Sequence, residues 1–312
     1  MNQASKTKYA VAPPSAKITE TLIKYIGQIA RGCGAKAIFV YVDALSGKSL
    51  ELMDNSNLKI YYVTKTQAED EAQKGKGRCC IRVPNVPFNR MGQIKIALLL
   101  ALSKGLLKKE DTIVFLSGLV ASRTLDTIMV IQVGHEFEMF LAPQDNEKIA
   151  PHILPEVLSR VIDIATQLGS EGREGKPVGA LFVIGDTKKV LSLSQQLILN
   201  PFRGYPEEAR NILDPSLEET VKEYALLDGA FLIRGDGIIE TMGVHLKTAG
   251  AEEFELPQGL GARHHAAAGI TAVTEAVAIT VSESTGTVTI FRNGKIITEI
   301  EKLRTLAQGR TI

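Results

Sequence analysis

The sequence predicts an α/β protein with two sheet-containing halves. In the first half, short apolar runs of strand length alternate with helical segments, which is typical of a mostly parallel sheet with helices on both faces. In the second half, helical segments lie among strand-like runs that are separated by glycine-containing turns such as Asn293-Gly294, which favour hairpins. A chain of 312 residues also suits about two domains, since a domain has roughly 150 residues.

The first half begins with a predicted amphipathic helix. A double proline precedes Ser15, a suitable N-cap, and apolar residues recur at helical spacing from Ile18 to Ile29. The run at residues 37–42 is apolar on both faces, which predicts a strand covered on each side. Strand-like runs lie at residues 37–42, 59–63, 78–83, 111–116 and 126–133, and helical segments at residues 66–74 and 91–107.

A polar, proline-bounded segment at residues 143–155 shows no periodicity and predicts a linker. We therefore place the first domain at residues 15–143 and the second at residues 150–305.

The second domain mixes hairpins with helices. Ser216 and Glu219 have capping-box spacing and predict the start of a helix over residues 215–224, whereas residues 169–179 predict a flexible loop. Further helices are predicted at residues 154–168 and 263–276, and strands at residues 178–184, 230–234 and 238–246 and near Ala278, Val288 and Ile296.

The charge balance excludes some classes of partner. Lys and Arg number 36 against 35 Asp and Glu, so the chain has no general attraction to nucleic acid or to an anionic membrane surface. Any anionic ligand must therefore be held locally. The longest obvious apolar run, residues 96–102, is far shorter than the roughly 20 residues that a membrane span needs. We expect a soluble, cytoplasmic protein without a membrane segment.

Three cysteines, Cys33, Cys79 and Cys80, form no disulfide framework and no C-x-x-C metal spacing. This usage fits a reducing cytoplasm, and we expect the three side chains to be buried as small apolar groups.

The first candidate functional element is Asp228-Gly229-Ala230 at the mouth of a predicted strand. A glycine beside the carboxylate allows a ligand to approach the backbone closely. On these residues alone, a turn aspartate before a strand remains the alternative.

The second element is the segment from Gly259 to Gly269, in which Arg263, His264 and His265 stand at the start of an alanine-rich helix. Free backbone N–H groups at a helix start, together with basic side chains, suit a phosphate. The alternative is a chain turn with solvated basic residues, and no Walker loop is present.

The third element is the polar turn Ser282-Glu283-Ser284-Thr285-Gly286 after an apolar strand. It is an ordinary hairpin connection unless it lies near a carboxylate and a phosphate site, where its oxygens can bind a phosphate or a metal.

Together, in this order, the three elements resemble the diadenylate cyclase domain over about residues 150–305, with supporting stretches at residues 200–205 and 234–237. The first half resembles the carboxy-terminal domain of pyruvate kinase through residues 12–15 and 93–102, and this pairing is similar to archaeal diadenylate cyclases. The resemblance implies a central mixed sheet flanked by helices in the second domain. It also implies condensation of two ATP into cyclic di-AMP and two pyrophosphates, a divalent cofactor (Mn²⁺ or Mg²⁺), and a homo-oligomer in which two domains face each other.

The resemblance also implies residue roles. Asp228 assists the attacking 3′-hydroxyl, directly or through the metal, and Arg263 and His264 are the other catalytic residues. Asp228 and Glu283 are the implied metal ligands. The implied ATP-binding residues are Gly229, Ala230, Leu246, Gly261, Ala262, Arg263, His264, His265 and Ser282.

The chain departs from the family pattern at four positions. Ala262 and His265 replace the Thr and Arg of many bacterial members, while Leu227 and Ser284 replace the His and the second acid of some members. Because His265 is titratable, we predict that phosphate binding weakens as pH rises through the neutral range.

Two rival functions remain open. A non-catalytic nucleotide sensor would use the same phosphate site without turnover, and an ATP-hydrolysing enzyme ranks last because no obvious water-activating set is visible. In the first domain, Asp43 and the glycine at 47 indicate either a ligand crevice or, more simply, a connecting loop. We expect regulation or assembly from that domain.

Overall fold

The computed structural model describes residues 14–45, 58–119, 122–134, 152–247, 257 and 259–301. Within these ranges the chain forms a five-stranded and a seven-stranded sheet with helices packed on them, which confirms the predicted fold class.

The five-stranded sheet belongs to the first half and has the strand order β3-β2-β1-β4-β5. Strands β1 to β4 run parallel, and only β5 is antiparallel to its neighbour β4. The strands are β1 (Ala37–Tyr41), β2 (Lys59–Thr64), β3 (Cys79–Arg82), β4 (Thr112–Leu119) and β5 (Thr124–Gln132), and the helices are α1 (Pro14–Gly32), α2 (Gln67–Lys74) and α3 (Arg90–Ser103).

Local signals explain most of these boundaries. All five residues of β1 are buried, as its two-sided apolar pattern predicts. The Asn89 side chain caps α3 by accepting from the Gly92 N–H. The helix ends at Ser103, before the predicted residue 107, because Gly105 adopts a left-handed conformation (φ 67°).

The seven-stranded sheet belongs to the second half and has the order β12-β11-β10-β6-β8-β9-β7. Only β6 and β8 are parallel neighbours, so the sheet is mixed as expected. Its strands are β6 (Ala180–Ile184), β7 (Ser194–Gln196), β8 (Ala230–Ile233), β9 (Ile239–Leu246), β10 (Val277–Val281), β11 (Val288–Arg292) and β12 (Lys295–Ile300), with helices α4 (Pro155–Glu171), α5 (Thr187–Ser192), α6 (Glu218–Tyr224) and α7 (Ala262–Val273).

The predicted loop at residues 169–179 is wrong in part, because only residues 172–179 lie outside regular helix and strand. Helix α4 continues to Glu171, and Arg173 and Lys176 then exchange two backbone hydrogen bonds across a tight turn. Glu174 and Gly175 at its centre both have positive φ, as a two-residue hairpin turn requires. The Arg173 side chain also pairs with two glutamates of α6.

Two further predictions about the second half need correction. Asp214, not Ser216, is the capping residue ahead of α6: its carboxylate accepts from the Ser216 N–H at the start of a short 3-10 turn. The short polar elements α5 and β7 carry little apolar periodicity and were not predicted. Residues 143–151 of the predicted linker lie outside the described residues.

The two halves share buried apolar packing. One core cluster contains side chains of both halves, with α3 packed against α4 and β12. Beside this contact, Arg82 on β3 lies 3.9 Å from Asp163 on α4. Burial raises the pKa of Asp163 to about 6, although Arg82 and Arg160 oppose the shift.

The cysteine prediction is also wrong in part, since Cys33 and Cys79 are exposed and Cys80 is half-buried.

Across the part of the chain that the structure describes, no helix has both the length and the apolar character that crossing a bilayer demands.

Candidate active site

A cavity of about 790 Å³ lies beside the face of the seven-stranded sheet that carries α7. Its volume is in the range of small-molecule sites. All three sequence elements singled out above contribute to it. The described lining residues are Leu181, Leu197, Asp228, Gly229, Ala230, Val244, His245, Leu246, Gly259, Leu260, Gly261, Ala262, Arg263, His264, Ala266, Val281, Ser282, Glu283, Ser284, Thr285, Thr287, Thr289, Glu299 and Glu301.

Asp228 stands at the rim of the cavity because of the glycine that follows it. Gly229 has a φ of 103° and packs on the backbone of Gly243 in β9, where a Cβ atom would lie 2.5 Å from the Gly243 carbonyl carbon. No other residue fits this position without strain. The Asp228 side chain is 92% exposed, so its carboxylate is accessible to a ligand.

Helix α7 points its N-terminus at the cavity. Gly261 is the N-cap, and no side chain among the described residues caps the first turn. The His264 and His265 N–H groups donate to the Gly261 carbonyl oxygen, which leaves the N–H groups of Ala262 and Arg263 available to an anion, and the helix dipole favours negative charge there.

Arg263, in the first turn of α7, lies between two carboxylates. Its Nη2 is 3.6 Å from Asp228 Oδ1, and its Nη1 is 3.5 Å from Glu283 Oε2. The guanidinium thus connects the first and third sequence elements across the cavity. Both pairs are partly solvated, so they are weak enough for a stronger anion to replace them.

His264 is nearly fully buried and contacts Phe291 edge-on, with ring centroids 6.0 Å apart. Burial lowers its pKa, and the nearby His265 and Arg263 lower it further. His264 is therefore a neutral hydrogen-bonding group at neutral pH rather than a second positive charge.

The turn after β10 carries Ser282 and Glu283 and is tightly closed. The Ser282 N–H donates to the Thr287 carbonyl oxygen, and the Gly286 N–H donates to that of Ser282. Helix α4 packs directly behind it, since a Cβ atom on Gly169 would lie 2.2 Å from the Gly286 carbonyl oxygen. The backbone of this turn is thus supported from outside the cavity.

The structure brings together almost all the predicted site residues. Those that line the cavity are Asp228, Gly229, Ala230, Leu246, Gly261, Ala262, Arg263, His264, Ser282 and Glu283. His265 is exposed and is not among the lining residues, so its predicted phosphate contact remains a prediction. Leu227 and Ser284 also depart from the pattern of the family that the sequence resembles. Ser284 lines the cavity, whereas Leu227 does not.

Sequence reasoning missed the cavity wall formed by β11 and β12. Thr289 and Glu299 are register partners on these strands, and both line the cavity with Glu301. The Thr289 hydroxyl is buried without a hydrogen-bond partner among the described residues. The available signals were polar residues within predicted strands, Thr289 in β11 and Glu299 in β12.

Asp43 of the first half has a structural role. It lies in a 3-10 turn, Val42–Leu45, and its carboxylate accepts from the Lys65 N–H at 2.8 Å, which ties the ends of β1 and β2 together. Burial raises its pKa to about 6. The glycine at position 47 lies outside the described residues.

Comparison with known proteins places the site in a family. The family model described as "DisA bacterial checkpoint controller nucleotide-binding" matches residues 167–296. The diadenylate cyclase of Methanocaldococcus jannaschii is 35% identical over 275 residues, which cover 84% of this chain and 85% of that protein. The chain belongs to the diadenylate cyclase family. A second cyclase, from Haloferax volcanii, is 43% identical over 147 residues, covering 47% of this chain and 53% of that protein.

Two solved structures have weak similarity to this chain. A hypothetical membrane-spanning protein of Bacillus cereus has 25% identity and a TM-score of 0.36, covering 47% of this chain and 64% of that one. A double mutant of DacA from Staphylococcus aureus has 22% identity and a TM-score of 0.30, and the match covers 45% of this chain and 84% of that one.

The first half of the cyclase matches a different family from the one its residues suggested. Residues 23–141 match the family model described as "Probable sensor domain DacZ_P". The resemblance to the pyruvate kinase carboxy-terminal domain is not confirmed by this match.

Proposed function

We propose that the chain condenses two ATP molecules into cyclic di-AMP and two pyrophosphates. The 3′-oxygen of each ATP forms a bond to the α-phosphorus of the other, while each bond from α-phosphorus to pyrophosphate breaks. The two hydroxyl protons pass to a base or to water. The observation that carries this proposal is the position of Arg263, at an uncapped helix N-terminus between two carboxylates in a nucleotide-sized cavity.

Asp228 and Arg263 take different parts in this chemistry. The Asp228 carboxylate is exposed at the rim of the cavity. In this proposal it assists the attacking 3′-hydroxyl, either by accepting its proton or by binding the divalent cation. Arg263 and the N–H groups of α7 stabilise negative charge on the phosphates. Because burial lowers its pKa, the His264 side chain is neutral, and it offers the phosphates a hydrogen bond without adding positive charge. Reactions of this kind depend on positioning and charge neutralisation more than on covalent chemistry.

The charges of the cavity indicate that ATP binds together with a divalent cation. The described lining includes four carboxylates, Asp228, Glu283, Glu299 and Glu301, but Arg263 is its only arginine or lysine. A triphosphate would be repelled by such a site without added positive charge.

Asp228 and Glu283 are the residues we propose to hold that cation. Among the described residues no three acidic, histidine or cysteine side chains form a metal site by themselves. This fits Mg²⁺ or Mn²⁺, which is held by one or two carboxylates together with substrate phosphates. When bound, the cation neutralises charge on the phosphates.

Two copies of the chain must face each other, because one cavity holds one ATP and the product joins two. The apolar rim next to Asp228 supports such a contact: Leu226, Leu227, Leu197 and Leu199 are all exposed, and Leu199 is 94% exposed. The Leu197 N–H donates to the Gly243 carbonyl oxygen, which places this segment beside the Gly229 contact. A second copy that covers this rim would bring its bound ATP towards Asp228.

A direct assay tests the proposed function. Purified protein is incubated with ATP and Mg²⁺, Mn²⁺ or no metal, and nucleotides are identified by mass spectrometry. We expect cyclic di-AMP only with metal, and a specific rate that falls on dilution as the dimer dissociates. ATP bound but unchanged under every condition would instead favour a nucleotide sensor.

For the first half, we propose that it regulates the cyclase. For the whole protein we propose a cytoplasmic location, which the three free cysteines support. The family match to a sensor domain supports a regulatory part. The packing of α3 on α4 and β12 provides physical contact between the two halves. We also propose domain limits at residues 15–143 and 150–305, since the strands of the five-stranded sheet lie within the first range and those of the seven-stranded sheet within the second.

A further inference from the structure

Gly179 lies immediately before β6 and is buried, although it does not line the cavity. Its neighbours are nevertheless two cavity residues. A Cβ atom built on Gly179 would lie 2.4 Å from Arg263 Nη1, 3.0 Å from Arg263 Cζ and 3.2 Å from Glu283 Cβ. The Arg263 guanidinium therefore rests directly on the backbone of Gly179.

The backbone conformation does not require glycine here. Gly179 is not among the glycines with positive φ, in contrast to Gly229, so an alanine would meet no intrinsic backbone strain. What excludes a side chain is the space that Arg263 occupies. This distinguishes Gly179 from Gly169, where a Cβ atom would collide with a backbone carbonyl oxygen that cannot move freely.

A methyl group on Gly179 would displace the guanidinium. Moving Nη1 from 2.4 Å to an ordinary contact distance of 3.4 Å requires a shift of about 1 Å. Arg263 makes its two ion pairs at 3.5 and 3.6 Å, so a shift of this size alters the position of the guanidinium relative to both carboxylates. The far end of an arginine moves easily, so folding is little affected.

Building on the cyclase activity proposed above, we propose that Gly179 is a positioning residue for the reaction. Its missing side chain leaves the space in which the Arg263 guanidinium lies between Asp228 and Glu283, where the phosphates of ATP bind. A displacement of about 1 Å at a reacting centre costs up to about 100-fold in rate. Gly179→Ala therefore lowers cyclic di-AMP formation by about 10- to 100-fold while the midpoint of thermal unfolding stays unchanged.

The test is a double-mutant cycle on the full chain. Gly179→Ala is made in the wild-type background and in Arg263→Lys. The lysine keeps the charge and ends at the chain position of Cζ, so it lacks Nη1, the atom that would lie 2.4 Å from the added Cβ. In the Arg263→Lys background we expect Gly179→Ala to change the rate by no more than about twofold. Equal losses in both backgrounds, or a lowered unfolding midpoint that accounts for the loss, would overturn the proposal.

Gly27→Ala in α1 is the matched control. Its Cβ atom would lie 3.8 Å from the Nη1 of Arg31, an ordinary contact with another arginine. We expect this variant to keep wild-type activity.

A second readout separates this proposal from the proposed function. The Nε–H resonance of Arg263, assigned by its disappearance in Arg263→Lys, is measured by NMR without nucleotide. We expect it to shift in Gly179→Ala and to stay in place in Gly27→Ala. Wild-type protein that makes no cyclic di-AMP would contradict the proposed function alone, whereas an unmoved Arg263 resonance would contradict the role of Gly179.

Discussion

The Arg263 guanidinium lies 3.6 Å from the Asp228 carboxylate across the rim of the cavity. Each residue is attached to a different rigid element, Arg263 to the first turn of α7 and Asp228 to the start of β8. Because the Asp228 side chain is 92% exposed, this ion pair contributes little to the free energy of folding. We therefore attribute the position of the two side chains to ligand binding.

Replacing the carboxylate of Asp228 therefore separates binding from turnover. We expect Asp228→Asn to lower cyclic di-AMP formation by at least about 100-fold, since it removes a proton acceptor. ATP still binds, because Glu283 and the phosphates still hold the cation. Product is measured by mass spectrometry and ATP binding by calorimetry. Asp236→Asn, in the turn at the other end of β8, is the control and should keep full activity. Unchanged turnover in Asp228→Asn would remove this residue from the mechanism.

Gly229→Ala should reduce both stability and activity. The variant forces an alanine into φ 103° and brings its Cβ atom to 2.5 Å from the Gly243 carbonyl carbon. We expect a loss of roughly 1–3 kcal/mol in the free energy of unfolding, together with a misplaced Asp228. Chemical denaturation measures the loss. A variant as stable as the wild type would show that this close approach is not required.

His264 should make the fold sensitive to acid. Its folded-state pKa is lowered by burial, so its neutral form contributes stability above the ordinary histidine value of 6.5, and this contribution is lost as pH falls below it. His264→Gln cannot protonate. The difference in the free energy of unfolding between wild type and variant should therefore change between pH 7.5 and pH 5. A constant difference would show that His264 titrates normally.

Asp163 should have the opposite effect. Its folded-state pKa is raised to about 6 by burial, so the stability it contributes is present below the unfolded value of 3.8 and is lost as pH rises through 6. We expect Asp163→Asn to be more stable than the wild type at pH 7.5, by about 1–3 kcal/mol, with the gain absent at pH 4. Denaturation at the two pH values measures it. A loss of stability at pH 7.5 would mean that the contact with Arg82 outweighs burial.

Leu199→Glu should weaken the proposed dimer. A charge on this exposed rim residue must be desolvated when a second copy covers it, so we expect dissociation in sedimentation and a lower specific activity that recovers at high protein concentration. Val130→Glu, at an exposed apolar position of β5 in the first half, is the control. A fully active Leu199→Glu monomer would contradict both the interface and the need for two copies.

Much of the fold could be predicted from the sequence because burial leaves a strong apolar pattern. β1 and β6 are buried at every position, and both were predicted from continuous apolar runs. The short polar elements α5 and β7 were missed because they have too few apolar residues to show a period. The turn after α4 was predicted to be flexible from its glycines and charges, yet Arg173 fixes it through contacts with residues about 50 positions away, which no local pattern reveals.

The site residues also fall into two groups, those that the sequence predicts and those that only the structure shows. Asp228, Arg263 and Glu283 have chemistry that is visible in single residues, so the sequence was sufficient to single them out. The roles of Gly169, Gly179 and Thr289 depend on what lies opposite them in space, and nothing within their own segments indicates it. The lowered pKa of His264 likewise follows from burial that only the fold creates.

The apolar cluster shared by the two halves has a consequence for how the chain melts. Because buried side chains of both halves belong to one cluster, neither sheet can unfold without exposing apolar surface of the other. Heating should therefore give a single calorimetric transition whose enthalpy matches that of the whole chain, instead of two separate peaks. Anything that binds one half tightly would then raise the melting temperature of the other.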